Sequence, residues 1–125
     1  MEYSYILFKM KYLPMIPIEL KGSEWVDFYA YVDSGASYSV FHSDIAEILN
    51  LNYEDGEKTY ITVGDGSLIT VFKHQAQVRL EGQEFMATIG FSKNLGIGFN
   101  ILGREFFFDR FVFCFDDRKR VLIIK

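Results

Sequence analysis

The chain has 125 residues, 50% of them hydrophobic and 24% charged, which predicts one folded domain over residues 1–125 with a real core and no room for a second lobe. Its 13 basic and 17 acidic residues leave a net charge of −4, and the basic face that phosphate-driven nucleic-acid binding needs is absent from the pattern. A single cysteine, Cys114, excludes an internal disulfide and a cysteine-ligated zinc site.

From the N-terminus, Ile6, Phe8, Met10 and Tyr12 alternate with Lys9 and Lys11, which predicts a strand with the lysines on its opposite face. The stretch lacks a basic leader, and the lysines break its apolar run, so it does not read as a signal peptide. No run elsewhere is long enough to cross a membrane, and a cytoplasmic location is expected. Ile16, Ile18 and Leu20 form the next strand, and Val26, Phe28, Ala30 and Val32 the one after, with a turn over 21–24. Pro14 and Pro17 suit a strand start or a sheet edge.

Ile45, Ile48 and Leu49 have helical spacing, predicting a short helix over 44–50, with Asp44 and Glu47 resembling a capping box and either Ser43 or Asp44 as the cap. Residues 52–58 read as a loop. Two β-prone runs, 60–63 and 68–72, flank Gly64-Asp65-Gly66-Ser67, and the Asp-Gly pair predicts a hairpin with a type I′ turn. The second arm continues through Val78 and Leu80, turns at Gly82 and returns through Phe85, Ala87, Ile89 and Phe91. A loop over 92–98 leads to Ile101-Leu102-Gly103, then to one or two helical turns over 104–109. A terminal hairpin runs from 111 to 124. The fold class is mainly β with one or two short helices. The 13 Phe, 8 Tyr and 1 Trp suit a packed β core, or in part an interface or peptide groove.

The chemistry-bearing stretch is Tyr29-Ala30-Tyr31-Val32-Asp33-Ser34-Gly35-Ala36-Ser37. An apolar strand ends there at a carboxylate, a hydroxyl and a glycine that permits a sharp turn. Read alone, Asp-Ser-Gly is also ordinary turn chemistry, and one carboxylate is a poor catalyst of amide hydrolysis. Asp65 reads as a turn residue. His42 and His74 lack an acid–nucleophile constellation, Ser34 and Ser37 lack a nucleophile-elbow context, and Gly96-Ile97-Gly98 is not a dinucleotide loop. Cys114 reads as a buried hydrophobe.

Asp33-Ser34-Gly35-Ala36 resembles the catalytic Asp-Thr/Ser-Gly-Ala/Ser signature of aspartic proteases. Asn100-Ile101-Leu102-Gly103-Arg104 resembles the apolar-apolar-Gly element of retropepsin-like proteases, and the Gly64-Asp65-Gly66 hairpin falls where that family carries its flap. The similarity spans residues 15–113 and is closer to cellular and prokaryotic single-domain members than to viral enzymes. It implies a closed β-barrel of the acid protease fold that is half of an enzyme, completed as a homodimer acting on a peptide or protein substrate without metal or cofactor.

On this resemblance Asp33 and its symmetry mate form the catalytic pair, sharing one proton because two close carboxylates do not both ionise easily. Ser34 bonds across the pair, Gly35 lets substrate approach and Ala36 borders the groove. Val63, Gly64, Asp65 and Gly66 belong to the flap, and Ile101, Leu102, Gly103 and Arg104 to the second motif. One departure is Ser37, which stands where viral enzymes place an acid that pairs with the arginine, leaving Arg104 without that partner. The alternative function is a catalytically silent dimerisation or peptide-binding domain.

Overall fold

Alternating apolar and polar side chains become sheet along most of the chain in the computed structural model, which describes residues 1–125. The strands are β1 (Glu2–Ser4), β2 (Ile6–Phe8), β3 (Lys11–Leu13), β4 (Met15–Lys21), β5 (Trp25–Val32) and β6 (Val40–His42). After helix α1 (Ser43–Ile48) and a 3-10 turn (Tyr53–Asp55) follow β7 (Glu57–Thr62), β8 (Leu68–Leu80), β9 (Gln83–Ser92), β10 (Asn100–Leu102), β11 (Phe113–Asp116) and β12 (Val121–Ile124). No helix is long and apolar enough to cross a membrane.

The main sheet has seven strands in the order β4-β5-β10-β6-β9-β8-β7. It closes on itself because the far end of β8 also pairs with β4, at Glu19↔Arg79 and Leu20↔Val78, leaving β7 outside the ring. Arg79 fastens this seam: it reaches Glu19 at 3.3 Å and Glu84 at 3.2 Å, and its guanidinium stacks 4.1 Å from the Trp25 ring centre. Inward positions of the ring, among them Ile16, Ile18, Leu20, Val78, Ala87, Ile89 and Phe91, form one fully or nearly fully buried core. A smaller cluster of Val40, Ile69, Val71 and Leu95 lies beside it. A separate three-stranded sheet, β1-β12-β11, joins the two chain ends, and the Met1 ammonium donates to the Ile124 carbonyl at 2.8 Å.

Most strands match the alternation, and the departures occur at turns. The segment predicted as one strand over 6–12 is a β2–β3 hairpin, with Lys9 at φ 47° and Met10 at φ 68° as its tip. The reversal changes the faces: Phe8 now lies directly opposite Lys11 on one side of the ribbon. The predicted capping box is absent. The helix starts at Ser43, straight out of β6, so its cap is His42, whose side chain makes no capping bond.

The hairpin over 57–72 forms, yet its turn is not type I′. Of its tip residues only Gly66 has positive φ, at +86°, and Gly66 N–H donates to Val63 O while Val63 N–H donates to Ser67 O, each at 2.9 Å. That is a type I turn followed by a left-handed glycine, the usual three-residue loop. The type I′ geometry occurs instead at Glu81 and Gly82, φ 51° and 73°. Residues 104–109 make consecutive turns rather than a helix, since Phe106 at φ 73° interrupts them. This lets Phe107 bury completely against Phe85, ring centres 5.6 Å apart. Cys114 is half-buried rather than a core residue.

Candidate active site

Asp33 follows directly on β5, and the placement of its loop depends on β10. β10 enters between β5 and β6, parallel to the first through Asn100↔Ala30, Ile101↔Tyr31 and Leu102↔Val32, and antiparallel to the second. Asp33 N–H then donates to Leu102 O at 3.0 Å, and Ala36 N–H donates to Asp33 O at 3.2 Å. Gly35 N–H donates to Asp33 Oδ1 at 2.9 Å. The side chain is half-buried and makes no other hydrogen bond, so Oδ2 is free. Ser34 and Gly35 are exposed.

The second motif holds this loop from behind. Arg104 N–H donates to Ala36 O and Glu105 N–H to Ser37 O, each at 2.9 Å. Arg104 Nη1 donates to Ser34 O at 3.0 Å while its guanidinium lies 4.8 Å from the Phe108 ring centre. A backbone carbonyl thus takes the place of the missing acid at Ser37. Gly103 is required by close approach, because a Cβ there would collide with the Tyr38 backbone.

Two buried polar side chains, to which the sequence reading gave no role, complete the bracing. Asn100 Oδ1 accepts from His42 N–H and its Nδ2 donates to Tyr29 O, both at 3.0 Å. Ser39 Oγ accepts from Gly103 N–H at 3.0 Å. Their signal was a lone polar residue in an apolar context, where an unpaired group is costly and a purpose is expected.

Two hollows share Asp33, Val63, Gly64, Leu95 and Ile101. One, of about 570 Å³, adds Ala36, Val40, Ile61 and Ile69. The other, of about 710 Å³, adds Phe8, Lys9, Lys11, Tyr31 and Phe99. Together they form a mainly apolar groove passing Asp33, with the 57–72 hairpin along one wall. A third hollow of about 410 Å³ opens on Asp33 and Ser34 from the side of Tyr5, Tyr12, Asp117 and Arg120.

Of the residues predicted from sequence, Asp33, Gly35, Ala36, Val63, Gly64 and Ile101 line the first hollow and Asp65 the second. Ser34 lines the third. Leu102 and Gly103 are buried beneath the loop, Arg104 braces it, and Gly66 lines none of the three hollows. The β2–β3 ribbon, Tyr38, Val40 and Leu95 were not foreseen as groove residues.

Electrostatics distinguish the residues around the carboxylate. Burial first, then the charges of Asp33 and Asp117, raise the Tyr31 phenol above its ordinary range, so it stays a neutral hydroxyl beside the site. At the hairpin tip, Asp65 Oδ1 accepts from Ser67 Oγ at 2.6 Å and Ser67 N–H at 2.9 Å, which lowers its pKa below 3.8.

No protein-family profile matches the sequence, and no curated protein matches it. Solved structures do. The chain superposes on the EIAV protease, solved in complex with the inhibitor HBY-793, at TM-score 0.64 and 18% identity, covering 84% of this chain and 94% of that one. A retropepsin-like aspartic protease from Rickettsia conorii gives 0.68 and 20%, covering 100% and 98%. The retroviral protease-like domain of Ddi1 from Leishmania major gives 0.63 and 21%, covering 90% and 88%. The fold is retropepsin-like.

Proposed function

We propose that residues 1–125 form one lobe of a homodimeric aspartic endopeptidase, with Asp33 from each copy making the catalytic pair. The observation that carries this reading is the Asp33 carboxylate itself. One oxygen is fixed by Gly35 N–H, the other is unengaged, and the residue lies where two apolar hollows meet under a glycine-tipped hairpin. Each chain has one such loop, and a lone carboxylate cannot act as base and acid at once.

In the paired state the ionised Asp33 takes a proton from a water between the carboxylates. The protonated partner donates to the scissile carbonyl as the water attacks it. Ser34, exposed beside Asp33, bonds across the pair in this reading. The 57–72 hairpin closes over an extended peptide, adding strand-like hydrogen bonds and excluding water.

The test is peptidase activity over an acidic-to-neutral pH range for wild type and Asp33→Asn. Activity in the wild type that vanishes in the variant supports the reading. Activity retained by Asp33→Asn overturns it, and peptide binding without cleavage by the wild type identifies a silent binding domain instead.

A further inference from the structure

The β2–β3 ribbon ends beside the groove, and its chemistry differs from the rest of the lining. Because the chain reverses at Lys9 and Met10, Lys11 shares a ribbon face with Phe8, and both lysines line the larger hollow with Phe8, Leu95, Ile97 and Phe99. Phe8 anchors the ribbon there, packed edge-on against Phe99 at 5.4 Å, and a Cβ on Gly98 would stand only 2.7 Å from the Phe8 ring.

Both lysines are exposed and neither joins an ion pair. The ion pairs present are Lys73–Glu57, Arg79–Glu19 and Arg79–Glu84. Two carboxylates line the same hollow, Asp65, whose Oδ1 accepts from Ser67, and Asp33, whose Oδ1 accepts from Gly35 N–H and whose Oδ2 is free, and neither forms an ion pair with a lysine. A chain of net charge −4 thus carries two ammonium groups without a carboxylate partner at the rim of this mainly apolar hollow, Lys9 Nζ lying 5.5 Å from the Phe8 ring centre.

From this juxtaposition we infer that Lys9 and Lys11 select substrates carrying an acidic side chain in this hollow. Glutamate fits best, since its methylenes can lie on the aromatic floor while its carboxylate reaches the rim. The inference rests on the protease reading for its symmetry. In a twofold dimer both ends of the groove carry the pair, so the preference falls on two positions symmetric about the cleaved bond.

Short synthetic peptides, randomised around a central bond, are offered to wild type and to the Lys9→Gln/Lys11→Gln and Lys9→Arg/Lys11→Arg double variants. Cleavage sites are read by mass spectrometry. The expected glutamate-over-glutamine preference in the wild type is about twofold to fivefold, the scale of exposed charge pairs, and it shrinks with added salt. It collapses to about one in the Gln variant, the limit of no charge pairing, and persists in the Arg variant.

Equal cleavage of glutamate and glutamine peptides by the wild type, or a preference that survives in the Gln variant, overturns the inference. If the wild type cuts no peptide, the protease reading fails separately. The same library is then retained on immobilised Asp33→Asn protein. Retention of glutamate over glutamine peptides, lost when the two Lys→Gln changes are added, supports the inference, and equal retention overturns it.

Discussion

Asn100 joins two strands through a single buried amide, accepting from His42 N–H and donating to Tyr29 O. Asn100→Leu fills similar space but leaves both backbone groups unpaired, at about 1–3 kcal/mol for each buried group. The expected result is a clear fall in the denaturation midpoint with an unchanged slope. Gly103→Ala forces a methyl into the Tyr38 backbone, and overpacking of that kind costs about 1–3 kcal/mol. It also displaces the loop that holds Asp33, so peptidase activity should fall further than stability alone explains. Asp65 gives a pH prediction. Its folded pKa is depressed, so the Ser67 bonds stabilise the tip fully above 3.8 and are lost as pH falls below that value. Ser67→Ala should move the Asp65 titration, followed by carboxyl NMR, upward toward 3.8; an unmoved titration would refute the role given to these bonds.

The strands were largely legible because their alternation records which face is buried. The turns were less so, since their geometry depends on φ values that side-chain type only biases. Lys9 and Met10 carry none of the Asn-Gly chemistry that marks a type I′ tip, so the alternation of Ile6, Phe8, Met10 and Tyr12 passed for one strand. Met10→Gly relieves a left-handed methionine at φ 68°, and should raise the thermal midpoint by the equivalent of about 1 kcal/mol. Phe106 hid the break after Arg104 in the same way. The candidate site loop stands out in the sequence because Asp33-Ser34-Gly35-Ala36 is contiguous, and so does the second motif. The ribbon wall of the groove does not, since Phe8 and Lys11 become neighbours only once the chain reverses.

At the scale of the whole molecule, the proposed function makes activity a property of two paired Asp33 loops. Specific activity should fall on dilution once the dimer dissociates, and sedimentation at the same concentrations should show the monomer appearing. Mixing offers a sharper check. Excess Asp33→Asn chain should suppress wild-type activity by capturing it in mixed dimers with one competent carboxylate. Activity that merely scales with the amount of wild-type chain would mean that each copy works alone.

The threading of β10 between β5 and β6 also has a consequence for how this protein comes into being. Asp33 is made early, but the carbonyl that holds its amide belongs to Leu102, and the side chain that braces Ser34 belongs to Arg104. A growing chain therefore lacks the scaffold of its Asp33 loop until β10 and the residues after it have emerged. The ring around it must stay open long enough to admit a central strand, and such non-local pairing makes folding slow. Chains that have not yet made β10 should lack an ordered Asp33 loop, so the topology delays assembly of the candidate site until that strand is in place.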